Sequence, residues 1–377
     1  MGKRLLPALG LFVLSPLAGE FLLGNLPVTA LPALVVLAPL YGGGALLIRE
    51  LARRRGAGWP GMVLLAVAYG VVEEGLLTRS LFDPHFAGMD LASYAWLPGV
   101  GVSAWWTTFV LGGVHAAGSV LAPIAVMEAL VPSRAEEPWL GRPGLVVAGV
   151  LYALGAAATA LNPDAYRAPA GQLAAAAVAA ALLTALALRR HRPATTLAER
   201  AQGQERERAQ AQEHEQERQR AQGQAQERTQ AQEQEQAAER APGQVPGRVV
   251  KRAPGAGAVL GLTLVAGLAF WLAALTIDVL RAWPAVAANL ALYGAAYALV
   301  ARWARRTGWG PAQRFALGAG WMLTYAWHSF PQPPALPATP AVDLAGNVAF
   351  AVAAVVLLAV AWSRVRPARG AQETATL

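Results

Sequence analysis

Apolar residues fall in continuous runs of about 20 positions, broken by short stretches rich in Arg, Pro and Gly. The runs are Ala/Leu-rich and do not alternate in polarity. They therefore predict helices rather than the strands of an outer-membrane barrel. About 20 apolar residues match the hydrocarbon thickness of a bilayer. Helices are expected at about Leu5–Leu23, Leu31–Ile48, Pro60–Pro84, Ala104–Leu130, Gly144–Leu161, Ala168–Leu188, Ala256–Ile277, Pro284–Val300, Ala312–Phe330 and Val342–Trp362. The expected fold class is all-α, a polytopic transmembrane bundle of about ten spans. The third helix should stop before Pro84, because a residue preceding proline avoids the helical region. The fourth is long enough to tilt, or to break near Pro123. The first is expected to be retained, since no small-x-small cleavage motif follows its apolar core.

The runs divide the chain into a membrane domain at 1–188 with about six helices, a polar stretch at 189–254, a second membrane domain at 255–363 with about four helices, and a tail at 364–377. Within the polar stretch Ala-Gln recurs at Ala201, Ala211, Ala221 and Ala231 with Glu-Arg pairs nearby. A ten-residue period with only Ala as apolar residue offers no coiled-coil seam, so a solvated helix or disordered linker is expected. Basic residues set the orientation. With both termini cytoplasmic, only Arg79, Arg167 and Arg281 of the 31 Lys and Arg lie outside, leaving 28 inside.

Composition agrees with the pattern. Charged residues are 14% of the chain, against roughly 25% in soluble proteins. The net charge of +8 comes from segments between spans, so the expected partner is the lipid bilayer of the cell membrane and not nucleic acid. The absence of cysteine excludes disulfides, thiolate metal sites and cysteine nucleophiles. No P-loop, dinucleotide fingerprint or serine-nucleophile motif is present; Glu and His could hold a metal but lack an HExxH spacing, so no metal ligand is assigned and the cofactor is left unknown.

One feature breaks the apolar pattern. Glu73 and Glu74 stand side by side inside the third run, PGMVLLAVAYGVVEEGLLTRSLFDP. A charged side chain at mid-bilayer costs roughly 2.5–3.5 kcal/mol on insertion scales, so it faces protein, a partner or water. The pair lies about 20 Å from the inner end of its helix, in the outer half. His115 in VLGGVHAAGS is near mid-bilayer, while His328 in TYAWHSFP, Glu20, Asn289, Asp343 and Asn347 lie toward the outer side. Glu128 is expected to be solvated near the inner surface, and Arg79 to snorkel outward. Adjacent helical residues point about 100° apart, so at most one glutamate is expected to aim squarely at a given partner. Burial disfavours the charged carboxylate, which makes Glu73 and Glu74 candidate general acids, bases or proton carriers. The candidate catalytic residues are Glu73, Glu74, His115 and His328. The residues leave three readings open: a glutamate-dependent enzyme, a proton-coupled or cation transporter with Gly42–Gly44 permitting close packing or a broken helix, and a structural membrane protein.

Two resemblances bear on this choice. The order Glu73, Glu74, His115 resembles the CPBP family of CAAX-prenyl-protease-like membrane enzymes, with its EExxxR and FxxxH motifs. That resemblance implies a glutamate-activated water assisted by histidine. Here the arginine stands one residue late, in EEGLLTR, and Leu111 replaces the phenylalanine. The stretches AGEFLLGN, YGGGALLIRELARR, EEGLLTRSLFDP and VPSRAEEPWLGRPG are similar to an uncharacterised family of bacterial multi-pass membrane proteins. This implies a fold class and no activity.

Overall fold

The computed structural model describes residues 2–189, 252–275, 277 and 281–366. Nearly all of the 189–254 stretch with its Ala-Gln repeat, and the tail from residue 367, lie outside the described residues. Nine described helices are long and apolar enough to cross a membrane: α1 (Leu5–Leu22), α2 (Val28–Arg55), α3 (Gly58–Leu77), α4 (Ala104–Leu130), α5 (Arg142–Ala160), α6 (Ala170–Leu188), α7 (Ala256–Leu275), α8 (Ala282–Ala304) and α10 (Pro340–Val365). Between the last two runs α9 (Pro311–His328), which carries Gln313 and Arg314 and is less apolar. The fold is an all-α polytopic bundle, with one described hairpin of β1 (Trp96–Leu97) and β2 (Val102–Ser103) in the α3–α4 loop.

The ends of α9 show that it runs the depth of the bundle. Arg314 near its start pairs with Glu136 at 2.8 Å. At its other end the Ser329 carbonyl accepts from Asn347 Nδ2 at 2.9 Å, and Ser329 packs on Gly24, just beyond α1. Eighteen residues at about 1.5 Å each cover the hydrocarbon core, so α9 has the reach of a span.

Helices α1–α6 and α7–α10 belong to one packed unit. The fourth helix joins the two sets. A Cβ on Gly113 would meet the Phe270 ring, and one on Gly118 would meet Tyr325 Oη at 1.8 Å, so both close approaches require glycine. Gly42–Gly44 likewise allow close packing, with Gly42 against the Phe12 backbone and Gly44 against the Tyr69 ring. Pro123 does not break α4. It falls at the start of the α-helical stretch Ala122–Leu130, after a π-helical stretch, Phe109–Leu121.

The Arg-rich end departs from expectation. The basic run at Arg49–Arg55 is the last two turns of α2, closed by Gly56 in the left-handed conformation. Arg49 is fully buried. Its Nε donates to Glu128 at 3.0 Å, its other nitrogens donate to Glu50 at 3.0 Å, Ala135 O at 2.8 Å and Glu137 O at 2.9 Å, and its guanidinium lies 3.3 Å from the Trp139 ring centroid. Glu128, expected in solvent, is 4% exposed and also takes two bonds from Arg53 Nη2, at 2.7 and 2.8 Å. A carboxylate desolvated this far persists because two guanidiniums and their hydrogen bonds replace its water.

Candidate functional site

Four described segments of π-helix lie in α1–α4: Leu17–Leu22, Ala38–Gly42, Glu73–Leu77 and Phe109–Leu121. They carry Glu20, Tyr41, the Glu73/Glu74 pair and His115, and these five side chains meet. π-Helical turns displace a backbone from the regular ladder and recur at functional sites.

His115 stands at the centre. Its Nε2 is 2.5 Å from Glu74 Oε1, and its Nδ1 is 3.2 Å from Glu73 Oε2. All three residues are buried. Both glutamates therefore approach one partner, but only Glu74 meets it at a formed hydrogen bond. An imidazole presents two nitrogens in divergent directions, so neighbouring carboxylates can each take one.

The two glutamates differ in support. Glu74 Oε2 also accepts from Thr78 Oγ1 at 3.0 Å and from Ser80 Oγ, and Trp106 Nε1 donates to Ser80 Oγ at 2.9 Å. Glu73 Oε2 and His115 Nδ1 face each other but are not aligned for a hydrogen bond, and the Tyr69 hydroxyl makes none. The Glu73–His115 approach is thus a close contact, not a formed hydrogen bond. The Tyr41 and Tyr69 hydroxyls border the Glu73 carboxylate. The Tyr41 hydroxyl donates to Glu20 Oε1 at 2.6 Å, and Asn25 Nδ2 donates to Glu20 Oε2 at 2.5 Å. Around this core the Tyr41 and Tyr69 rings lie 6.1 and 6.2 Å from the His115 ring.

The second set of helices braces the centre. Tyr325 Oη of α9 donates to Val114 O at 2.9 Å, next to His115 in the chain. Ser15 Oγ of α1 donates to Ser119 O at 2.6 Å. The remaining candidate, His328, lies apart from the carboxylates. It is 1% exposed, and its ring stacks on Trp271 with centroids 3.4 Å apart. Arg79, at φ 61°, turns the chain after α3 and donates to Ala160 O at 3.1 Å and Tyr166 O at 3.3 Å rather than to either glutamate. Sequence reasoning placed Glu20 at a helix end and did not single out Tyr41 or Tyr69. An intramembrane tyrosine is too common to mark a site.

Ligand atoms of Glu73, Glu74 and His115 lie within 4.8 Å of one another, the reach of a single ion. As arranged, Nε2 is engaged by Glu74 at hydrogen-bonding distance. This contact between an imidazole nitrogen and a carboxylate oxygen is the arrangement of an acid–base cluster.

The model of a family described as an uncharacterized membrane protein family matches residues 9–368. No curated protein and no solved structure matches the chain.

Proposed function

We propose that this chain, which belongs to that uncharacterised membrane protein family, handles protons within the bilayer, with Glu73, His115 and Glu74 as a proton-carrying centre of the kind a proton-coupled transporter uses. The observation that carries the reading is the single buried imidazole with a carboxylate oxygen at each ring nitrogen. A doubly protonated ring presents an N–H to each carboxylate. A singly protonated ring presents one N–H and one lone pair, and the lone pair is then matched when the facing carboxyl holds the proton. The cluster thus has two compatible proton distributions related by one transfer between His115 and a glutamate. Glu74, held by Thr78 and Ser80, serves as the fixed partner. Glu73, with one oxygen unpartnered, is the member with a free position for a proton. Intramembrane Glu and His residues packed against each other are the usual components of proton relays.

Glutamate-dependent proteolysis is the second reading. It is favoured by the unpartnered Glu73 Oε2 and Tyr69 hydroxyl, which together offer hydrogen bonds to a water. Under that reading Glu73 is the general base and His115 assists.

Proton uptake by the purified protein in nanodiscs, read with a pH-indicator dye after a pH jump, tests the first reading. Glu73→Gln and Glu74→Gln should each reduce the uptake amplitude relative to wild type. Unchanged uptake in both removes the proton role. Cleavage of a membrane-peptide library that is lost in Glu73→Gln would transfer support to the second reading.

A further inference from the structure

We infer that Glu20 is the outer port of the buried centre: it exchanges protons with the outer aqueous face and passes them to Glu73 through the Tyr41 hydroxyl. The inference rests on the proton-carrier reading and adds to it a route and a direction.

The geometry places Glu20 between solvent and centre. It lies two residues before the end of α1, is 8% exposed, and has both oxygens engaged. Its surface-side partner, Asn25, is half-buried, and the Asn25 carbonyl accepts from Ala335 N of the exposed α9–α10 loop at 2.8 Å. Gly24, at φ +83°, turns the chain so that Asn25 folds back over Glu20, a conformation that favours glycine. On the inward side the Tyr41 hydroxyl touches Glu20 at 2.6 Å and borders Glu73. A carboxylate buried to this degree with no cationic side chain bonded to it is costly as a purely structural element, and neutral residues would pack the end of α1 equally well.

The transfer balances without a co-reactant. A proton taken from outer water protonates Glu20. The Glu20 O–H bond breaks as its proton moves to Tyr41 Oη, and the Tyr41 O–H bond breaks as its own proton moves to Glu73. Glu20 ends as carboxylate, Tyr41 as neutral phenol and Glu73 as carboxylic acid, from which His115 Nδ1 is 3.2 Å away. The ionisable groups that act on Glu20 from the packed elements are Tyr41 of α2, Glu74 of α3, and His115 of α4. Tyr69 of α3 and Tyr325 of α9 also feel its charge, and His328 of α9 lies by the Leu23 backbone. Of these, Tyr41 is the one that hydrogen-bonds Glu20 while also bordering Glu73.

The test is time-resolved infrared spectroscopy of the carboxyl C=O band in sealed proteoliposomes after an acid jump of the outer medium. In wild type the band should rise with an amplitude that Glu73→Gln reduces. In Glu20→Gln and Tyr41→Phe the Glu73-dependent amplitude should be retained while its rate falls at least roughly tenfold, and Glu20→Asp should restore much of the rate. Wild-type rates in both Glu20→Gln and Tyr41→Phe overturn the port while leaving the centre standing. Absence of any Glu73-dependent band in wild type overturns both. Tyr41→Phe keeps the ring and its packing, so it reports on the route even if Glu20→Gln folds poorly.

Discussion

Replacing Arg49 by methionine removes the guanidinium that ties the Arg-rich end of α2 to the adjoining end of α4, and its cost can be built from the contacts. Arg49 donates to two carboxylates, Glu128 and Glu50, and to the backbone carbonyls of Ala135 and Glu137 in the α4–α5 loop. It also lies over the Trp139 ring. Removing one partner of a buried ion pair typically costs about 3–5 kcal/mol, because the remaining charge stays desolvated. The remaining charges here are not abandoned. Arg53 still holds Glu128, and Trp139 N and Leu140 N still donate to Glu50 at 2.7 and 3.2 Å. The buried Ala135 carbonyl loses a donor, at about 1–3 kcal/mol before the loop relaxes, while the Glu137 carbonyl can turn to solvent. These terms overlap, so Arg49→Met should destabilise by about 3–4 kcal/mol, the lower part of the buried-pair range. Arg49→Lys keeps the charge but not the planar fork that reaches carboxylates and loop carbonyls together, and should lose about 2 kcal/mol. The assay is equilibrium unfolding in mixed dodecylmaltoside–SDS micelles, followed by tryptophan fluorescence. A methionine variant within about 1 kcal/mol of wild type would refute the claim that the buried network holds this end, and would place the cluster among the weakly coupled surface pairs.

Four further outcomes follow from neighbouring contacts. Glu136, 58% exposed, pairs with Arg53 and Arg314, so Glu136→Gln should cost no more than about 1 kcal/mol in the same assay, with the difference shrinking as salt is raised. Tyr325→Phe removes the donor to Val114 O and should cost about 1 kcal/mol, measured by the same unfolding; no loss would show that α9 does not brace the His115 turn. Gly118→Val adds a Cβ that would sit 1.8 Å from Tyr325 Oη. Overpacking of at least about 1–3 kcal/mol should reduce the monodisperse folded peak in fluorescence-detected size exclusion. The chain has no native cysteine, so single cysteines report sidedness cleanly. Arg305→Cys and Ala335→Cys, before and after α9, should react with an impermeant maleimide from opposite faces, and labelling from one face would show that α9 does not cross.

Much of the site was legible, because a membrane makes charge conspicuous. Glu73, Glu74 and His115 stand out in apolar runs, and a position along a helix converts directly to depth. Their meeting was not legible: Glu74 and His115 are 41 residues apart, and their approach depends on how α3 packs against α4. The same limit explains Glu128 and Arg49. Each reads as an ordinary residue of an inner boundary, and only their proximity, with Arg53, makes them a buried network. His328 is likewise settled by packing, since Trp271 covers its ring face.

By itself the sequence determined the solvent of this protein and the class of its fold. Run length and the charge deficit demand membrane helices. It also determined that some polar groups must face inward, since lipid offers them nothing. The tertiary structure decided the rest. It showed that the less apolar α9 reaches from one end of the bundle to the other. It seated one imidazole between two adjacent glutamates and set Tyr41, hydrogen-bonded to Glu20, beside them. The physical reason is that hydropathy is a sum over neighbours in the chain, whereas pairing depends on which helix faces meet. Those faces are set here by glycines such as Gly113 and Gly118, and by four π-helical turns that regular helix periodicity does not foresee.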